Sequence, residues 1–148
     1  MDSSASFDQL VHDIDEFASS LNEVLAHHQS ALTAAESTGD LDEAAEAKRR
    51  VLLVRGELEA TSAIRATAIE ARDVQRLPFD RMVGALEGSY LHMENTLDVA
   101  RAAQQRAFAS AMAGGSRSEY DRATEEMNTA VGRFEAVTRW LHHTRRLA

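Results

Sequence analysis

The placement of helix breakers constrains this chain more than any other feature. Pro78 is the only proline in 148 residues, and glycine closes a periodic stretch at Gly39-Asp40 and again at Gly114-Gly115. Proline lacks a backbone donor and clashes with the turn before it, while glycine takes the left-handed conformation that ends helices. These three points cut the chain into four stretches of similar length, 7–38, 41–76, 79–113 and 117–147. Heavy use of alanine and an aromatic content of only 5% favour helix over sheet in all of them.

Within each stretch apolar residues recur at helical spacing. With Phe7 at heptad position a, the first helix places Phe7, Ile14, Leu21, His28 and Ala35 at a, and Leu10, Phe17, Val24 and Ala31 at d. Val11, Ala18, Leu25 and Leu32 add an apolar e position. Three apolar sites per heptad make a stripe wide enough for two neighbours, which suits a bundle better than a two-stranded coil. The second helix presents Ala44, Val51, Val54 and Leu58, then meets Arg65 and Arg72 while its apolar face drifts to Ile64, Ala68 and Ala71. Its later half, 60–77, is therefore expected to pack weakly and to exchange amide hydrogens quickly.

The third helix carries Phe79, Leu86, Met93, Ala100 and Ala107, flanked by Met82, Val83, Tyr90 and Leu97. The fourth has the cleanest seam: Tyr120, Ala123, Met127, Ala130, Phe134, Val137, Leu141 and Thr144. Asp40 with Glu43, and Ser116 with Glu119, have the spacing of helix-starting caps. Leu77-Pro78 reads as a turn, with a kink in one continuous helix as the alternative. At 1.5 Å per residue each helix should run about 45 to 55 Å. Long helices of similar length with short connections predict an all-α fold, one up-down-up-down bundle of four antiparallel helices with coiled-coil-like packing. A single domain over 1–148 is expected, with the first helix beside the fourth.

The net charge of −8 is unevenly spread. Residues 1–38 hold seven acids and no Lys or Arg, whereas 116–148 hold six arginines against five acids. An acidic chain lacks the basic footprint of phosphate binding, so nucleic acid is not an expected partner. There is no cysteine, which removes disulfides, thiolate metal sites and a cysteine nucleophile. No run approaches the roughly 20 apolar residues of a membrane span, and the acidic, polar start differs from a signal peptide. The expected location is cytoplasmic, away from membranes, with export by a dedicated secretion machine lying outside that test. Fifteen arginines beside one lysine, Lys48, point to a GC-rich bacterial coding sequence.

Motifs for chemistry are sparse. The histidines are His12, His27, His28, His92, His142 and His143, and the adjacent pairs point to different sides of a helix. Glu-x-x-His, which ferritin-like metal bundles need on two helices, does not occur. Glu23 with His27 has i, i+4 spacing and reads as a surface pair, and His28 reads as a hydrogen-bonded structural histidine on the core stripe. Phosphate-cradling glycine loops and nucleophile elbows are missing. Asp15-Glu16 and Glu125-Glu126 fall on outward faces, where carboxylates stay solvated. The chain is thus expected not to be an enzyme, with no catalytic residue, cofactor or metal ligand assigned.

Trp140 lies beside the seam of the fourth helix, among Arg139, Arg145 and Arg146. Tryptophan and arginine are enriched at interface hot spots, so these four residues form the expected protein-binding set. The alternative for Trp140 is a core position against the first helix. The stretch from Leu25 to Leu58, with His28, Ala31-Leu32, Gly39-Asp40-Leu41-Asp42, Lys48 and Leu52-Leu53, resembles the helical hairpin of flagellar and related export chaperones. That resemblance implies a small cytosolic helical protein holding the terminal helices of exported subunits. It covers one hairpin and assigns no family to the chain. Gly-Asp-Leu-Asp is also similar to tetratricopeptide turns, but no 34-residue repeat follows it. Tyr90-x-x-x-Glu94 has the spacing of a type VII export tag, yet it lies mid-helix without the Trp-x-Gly turn that precedes such tags.

The expected function is a non-enzymatic helical protein–protein interaction module, an adaptor, structural subunit or secretion-type chaperone working by helix-face recognition. Its partner is expected to be another protein or a second copy, the homodimer forming through the fourth helix and Trp140. A small-molecule or metal-binding bundle is the alternative, and an enzyme with a dispersed site ranks below it.

Overall fold

The computed structural model describes residues 2–148, and four helices account for 90% of the chain. They are α1 (Ser3–Thr38), α2 (Leu41–Asp73), α3 (Asp80–Met112) and α4 (Arg117–Leu147), with no strand among the described residues. The fold is an all-α, up-down-up-down four-helix bundle.

Local chemistry explains the helix ends. Asp2 starts α1 by accepting a hydrogen bond from the Ala5 amide at 2.9 Å. Gly39 closes α1 in the left-handed region (φ 74°). The Gly39 and Asp40 amides donate to the Glu36 and Ala35 carbonyls, which satisfies the last turn. Asp40 then caps α2 by accepting from the Glu43 amide at 3.1 Å. The second break is a true turn, with α2 ending at Asp73, three residues before the expected end. Arg76 takes the left-handed conformation (φ 51°) that the chain has no glycine to supply there. Ser3 of α1 reaches across to accept from the Phe79 amide at 3.1 Å, tying the start of α3 to the start of α1. Before α4 the expected capping box does not form. The Ser116 hydroxyl pairs with Ser118 instead, at 2.8 Å.

In this topology α2 and α4 lie on a diagonal and run parallel. Lys48 pairs with Glu125, and Trp140 reaches Thr61 further along the same two helices. They meet backbone to backbone at two glycines. A Cβ at Gly56 would stand 2.2 Å from the Thr129 carbonyl oxygen, and one at Gly132 would stand 2.0 Å from that of Leu53. No side chain fits there, so glycine is what permits the approach.

α1 packs along α2 and α3 along α4, but α2–α3 and α1–α4 contacts are sparse. The expected α1–α4 neighbourhood therefore holds only at one end. At that end Phe7, Leu10 and Ile14 of α1 join Ile64 and Ala68 of α2, Met82 and Leu86 of α3, and Val137, Trp140 and Leu141 of α4 in one core. Phe79 meets Phe7 edge-to-face at 5.0 Å.

The later half of α2 is the clearest correction. It was expected to pack weakly, yet Ala60, Ile64, Ala68 and Ala71 are all buried in this core. Alanine scores low as a hydrophobe, but a row of small residues lets neighbouring helices close in and become dry. Arg65 and Arg72, which interrupt the heptad, sit at its edge and reach Asp15 and Asp8 of α1 at 2.6 and 2.8 Å. Away from this closed end the helices carry fewer large buried residues and the bundle opens.

Candidate functional site

Trp140 and the three arginines were expected to face a partner, and the structure separates them. Trp140 is 3% exposed. Its indole N–H donates to Thr61 Oγ1 at 3.2 Å, and its ring meets Phe17 edge-on at 5.6 Å. It is a core residue because α4 is covered on this side by both α1 and α2. Arg139, Arg145 and Arg146 are exposed but engaged. Arg139 lies 4.2 Å over the Phe17 ring. Arg145 donates to Glu87 of α3 at 3.1 Å, and Arg146 contacts His143 at 3.0 Å. The acids of α1 are met mainly by α2, so the charge split along the chain is settled between α1 and α2 more than between α1 and α4.

The α1–α4 seam holds a polar cluster. His143 Nε2 and Asp13 Oδ2 are 2.6 Å apart, with both side chains about a quarter exposed. Arg146 can only donate, so His143 Nδ1 must accept and its Nε2 carries the hydrogen given to Asp13. Gln9 donates to the other Asp13 oxygen at 2.8 Å. On the same turn, His12 Nε2 and Glu16 Oε1 stand 3.3 Å apart. His12, Asp13 and Glu16 offer three ligand atoms within 4.8 Å of one another. The sequence signal for this group is His12 and Glu16 at i, i+4 with Asp13 between them, a spacing distinct from Glu-x-x-His. Glu23 and His27, the other i, i+4 pair, are both exposed. His28 is half-buried, and its pKa is lowered by burial, then by His27 and Arg50.

On the opposite side, the α2–α3 gap leaves a groove floored by α4. At the open end it is lined by Leu52, Thr96, Val99, Ala100, Ala103, Thr129 and Ala130, with Glu125, Glu126 and Arg133 at its rim, and holds about 450 Å³. Leu91, Val99, Phe108 and Met112 of α3 are each more than half exposed. Burying such side chains would be worth about 1.5 to 3 kcal/mol each, so leaving them in water is a real cost to the isolated chain.

Two carboxylates carry informative shifts. Arg49 and then Arg50 hold Glu46 down at about 2, in an exposed network at the start of α2. Burial pushes Glu57 up, Arg139 pulls it back, and the nearby Glu135 pushes it up again. Tyr90 is half-buried mid-helix against Phe134, with ring centroids 5.1 Å apart. Among the described residues no helix is long and apolar enough to cross a membrane. No protein-family model matches the chain, and neither does any curated protein or solved structure.

Proposed function

We propose that the chain is a non-enzymatic helical protein–protein interaction module, an adaptor, structural subunit or secretion-type chaperone that works by helix-face recognition. The observation carrying this reading is the open groove between α2 and α3, with Leu52, Val99, Ala100 and Ala130 along it. A partner helix laid there would place apolar anchors at i, i+3 and i+7 against these residues and stand in for the missing α2–α3 contact. Exposed Glu126 and the net charge of −8 favour a helix with basic flanks. The partner is another protein or a second copy, and the face it uses is α2–α3 in place of Trp140.

A photo-crosslinking amino acid at Val99, compared with one at exposed Gln29 on α1, tests the reading. Adducts in the native host that arise from Val99 alone are expected. A product of twice the chain mass from purified protein identifies the partner as a second copy. Absence of any Val99-specific adduct in both settings overturns the proposal.

A further inference from the structure

We propose that the α1 turn bearing His12, Asp13 and Glu16 binds a first-row divalent transition ion of the zinc class. This inference does not depend on the partner reading, since it concerns the opposite seam of the bundle. The donor set is one imidazole and two carboxylates, which suits such ions better than magnesium or calcium. Two ligands each about 2.1 Å from an ion at the tetrahedral angle stand about 3.4 Å apart. His12 Nε2 and Glu16 Oε1 are already 3.3 Å apart. An ion can thus seat between them with little movement, and Asp13 offers a third atom within 4.8 Å of both. Three protein ligands leave the remaining position to water.

The surroundings favour the third ligand. Asp13 is the least mobile of the three because Gln9 holds one oxygen and His143 the other. Outer partners that orient a ligand in this way strengthen metal binding. His143 is itself a positioning residue: with Arg146 donating to Nδ1, its Nε2 carries a hydrogen and has no lone pair for the ion. The field is favourable as well. Residues 2–38 contain no Lys or Arg. Of the cations facing this stretch, Arg50, Arg65 and Arg72 are paired with Glu46, Asp15, and Asp8 with Asp73, while Arg139 is held on the Phe17 ring and Arg146 on the His143 imidazole.

The test is calorimetric titration of the untagged full-length chain with zinc chloride, and with cobalt(II) read by visible absorption. One ion per chain is expected, with a cobalt spectrum of a low-coordinate site. His12→Ala and Glu16→Gln should each weaken binding by about tenfold or more. His143→Ala should weaken it by about tenfold without changing the stoichiometry. His27→Ala and His92→Ala, which alter exposed histidines elsewhere, should leave it unchanged. His12, Glu16, His27 and His92 are exposed and His143 is half-buried in the seam, so helical circular dichroism checks the fold of every variant. Zinc affinity that survives His12→Ala, or that falls equally with His27→Ala or His92→Ala, would mean adventitious surface binding and overturn the proposal. So would the absence of binding at millimolar zinc.

Discussion

Replacing Gly132 by alanine should destabilise the protein, although helix propensity alone predicts the reverse. In an exposed helix interior, glycine to alanine gains about 1 kcal/mol. At Gly132 the new Cβ would lie 2.0 Å from the Leu53 carbonyl oxygen and 3.1 Å from the Glu57 amide. A carbon and a carbonyl oxygen rest comfortably at about 3.3 to 3.6 Å, so α2 and α4 must part by more than about 1 Å at this point. Both clashing atoms are backbone, and no rotamer change relieves them. Gaps of about 0.5 to 1 Å forfeit a quarter to a half of each dispersion contact. Asn128, Ala136 and Trp140 of α4 and Val54, Ala60 and Thr61 of α2 are buried along the same two helices and share the loss.

A steric cost of about 3 to 4 kcal/mol, at or just above the usual overpacking range, less the propensity gain, leaves a net destabilisation of about 2 to 3 kcal/mol. In a chain of this size that lowers Tm by roughly 5 to 10 °C. Gly84→Ala and Gly88→Ala are the internal controls, because a Cβ at either position meets nothing within 4 Å. Each should stabilise by about 0.5 to 1 kcal/mol. Urea unfolding followed by circular dichroism measures all three. A Gly132→Ala chain as stable as the Gly84→Ala chain would refute the account of a glycine-enabled α2–α4 contact. Loss of stability in the Gly84 and Gly88 variants would show that the outer face of α3 is covered by another chain.

Arg76→Gly should stabilise by about 0.5 to 1 kcal/mol in the same urea assay, since glycine removes roughly 1 to 2 kcal/mol of left-handed strain at some cost in unfolded-chain entropy. Thr144→Val should gain about 1 kcal/mol, because Thr144 is fully buried and its hydroxyl has no partner; a loss would reveal a hydrogen bond to buried water. Glu57 holds its proton more tightly in the folded chain than in the unfolded one, so its ionised form costs stability above its raised folded pKa, and that cost fades as pH falls back through the raised pKa. Glu57→Gln should therefore raise Tm at pH 7 and bring little or no gain at pH 4, and equal gains at both would argue against a perturbed carboxyl. Amide exchange should be slowest in residues 60–71 of α2 and faster in residues 98–112 of α3, where few side chains are buried; the opposite order would mean that the open end is closed in solution.

The number of helices and the places of the three breaks were legible because breakers act locally, while α1 begins at Ser3 in place of 7 and α2 ends at Asp73 in place of 76. Gly39, Pro78 and the Gly114-Gly115 pair constrain backbone angles whatever surrounds them. Arg76 in the left-handed region was not legible, since it belongs to the turn that sets Phe79 against Ser3 and Phe7 of α1. The later half of α2 was misread because hydropathy weighs alanine lightly, whereas packing rewards its small size. Interior glycines are similarly mute. Gly56 and Gly84 look alike in sequence, and only the approach of α4 makes one indispensable to packing and leaves the other free. Trp140 was ambiguous for a further reason: a residue next to a seam is exposed in a two-helix contact but buried when a third helix covers that flank. The His12, Asp13 and Glu16 turn was visible as spacing alone. What sequence could not show was His143 holding the middle residue opposite Gln9, because His143 arrives from the far end of the chain.

The distribution of large side chains explains why one end of the bundle closes and the other does not. Phe7, Leu10, Ile14, Phe79, Met82, Leu86, Trp140 and Leu141 converge from both termini and the α2–α3 turn, and together they fill the space between four helices. Towards the other two turns the buried apolar residues are Leu21, Ala35, Ala47, Val51, Val54, Leu97 and Ala130, with Leu52 and Leu53 only partly buried, which fill two-helix contacts but not a four-helix core. α2 and α4 stay together there because their glycines and small residues let backbones touch, and α1 and α3 follow as flanking helices. The α2–α3 gap is what remains, floored by α4 and edged by the uncovered Val99. The His12 turn lies at the closed end, level with Arg139 and His143, while Val99 lies about 18 Å along the axis from the level of Glu87. The closed end, where Gln9 and His143 hold Asp13, is where an ion site can be held. An open end that leaves apolar surface in water is where a partner helix gains most by binding.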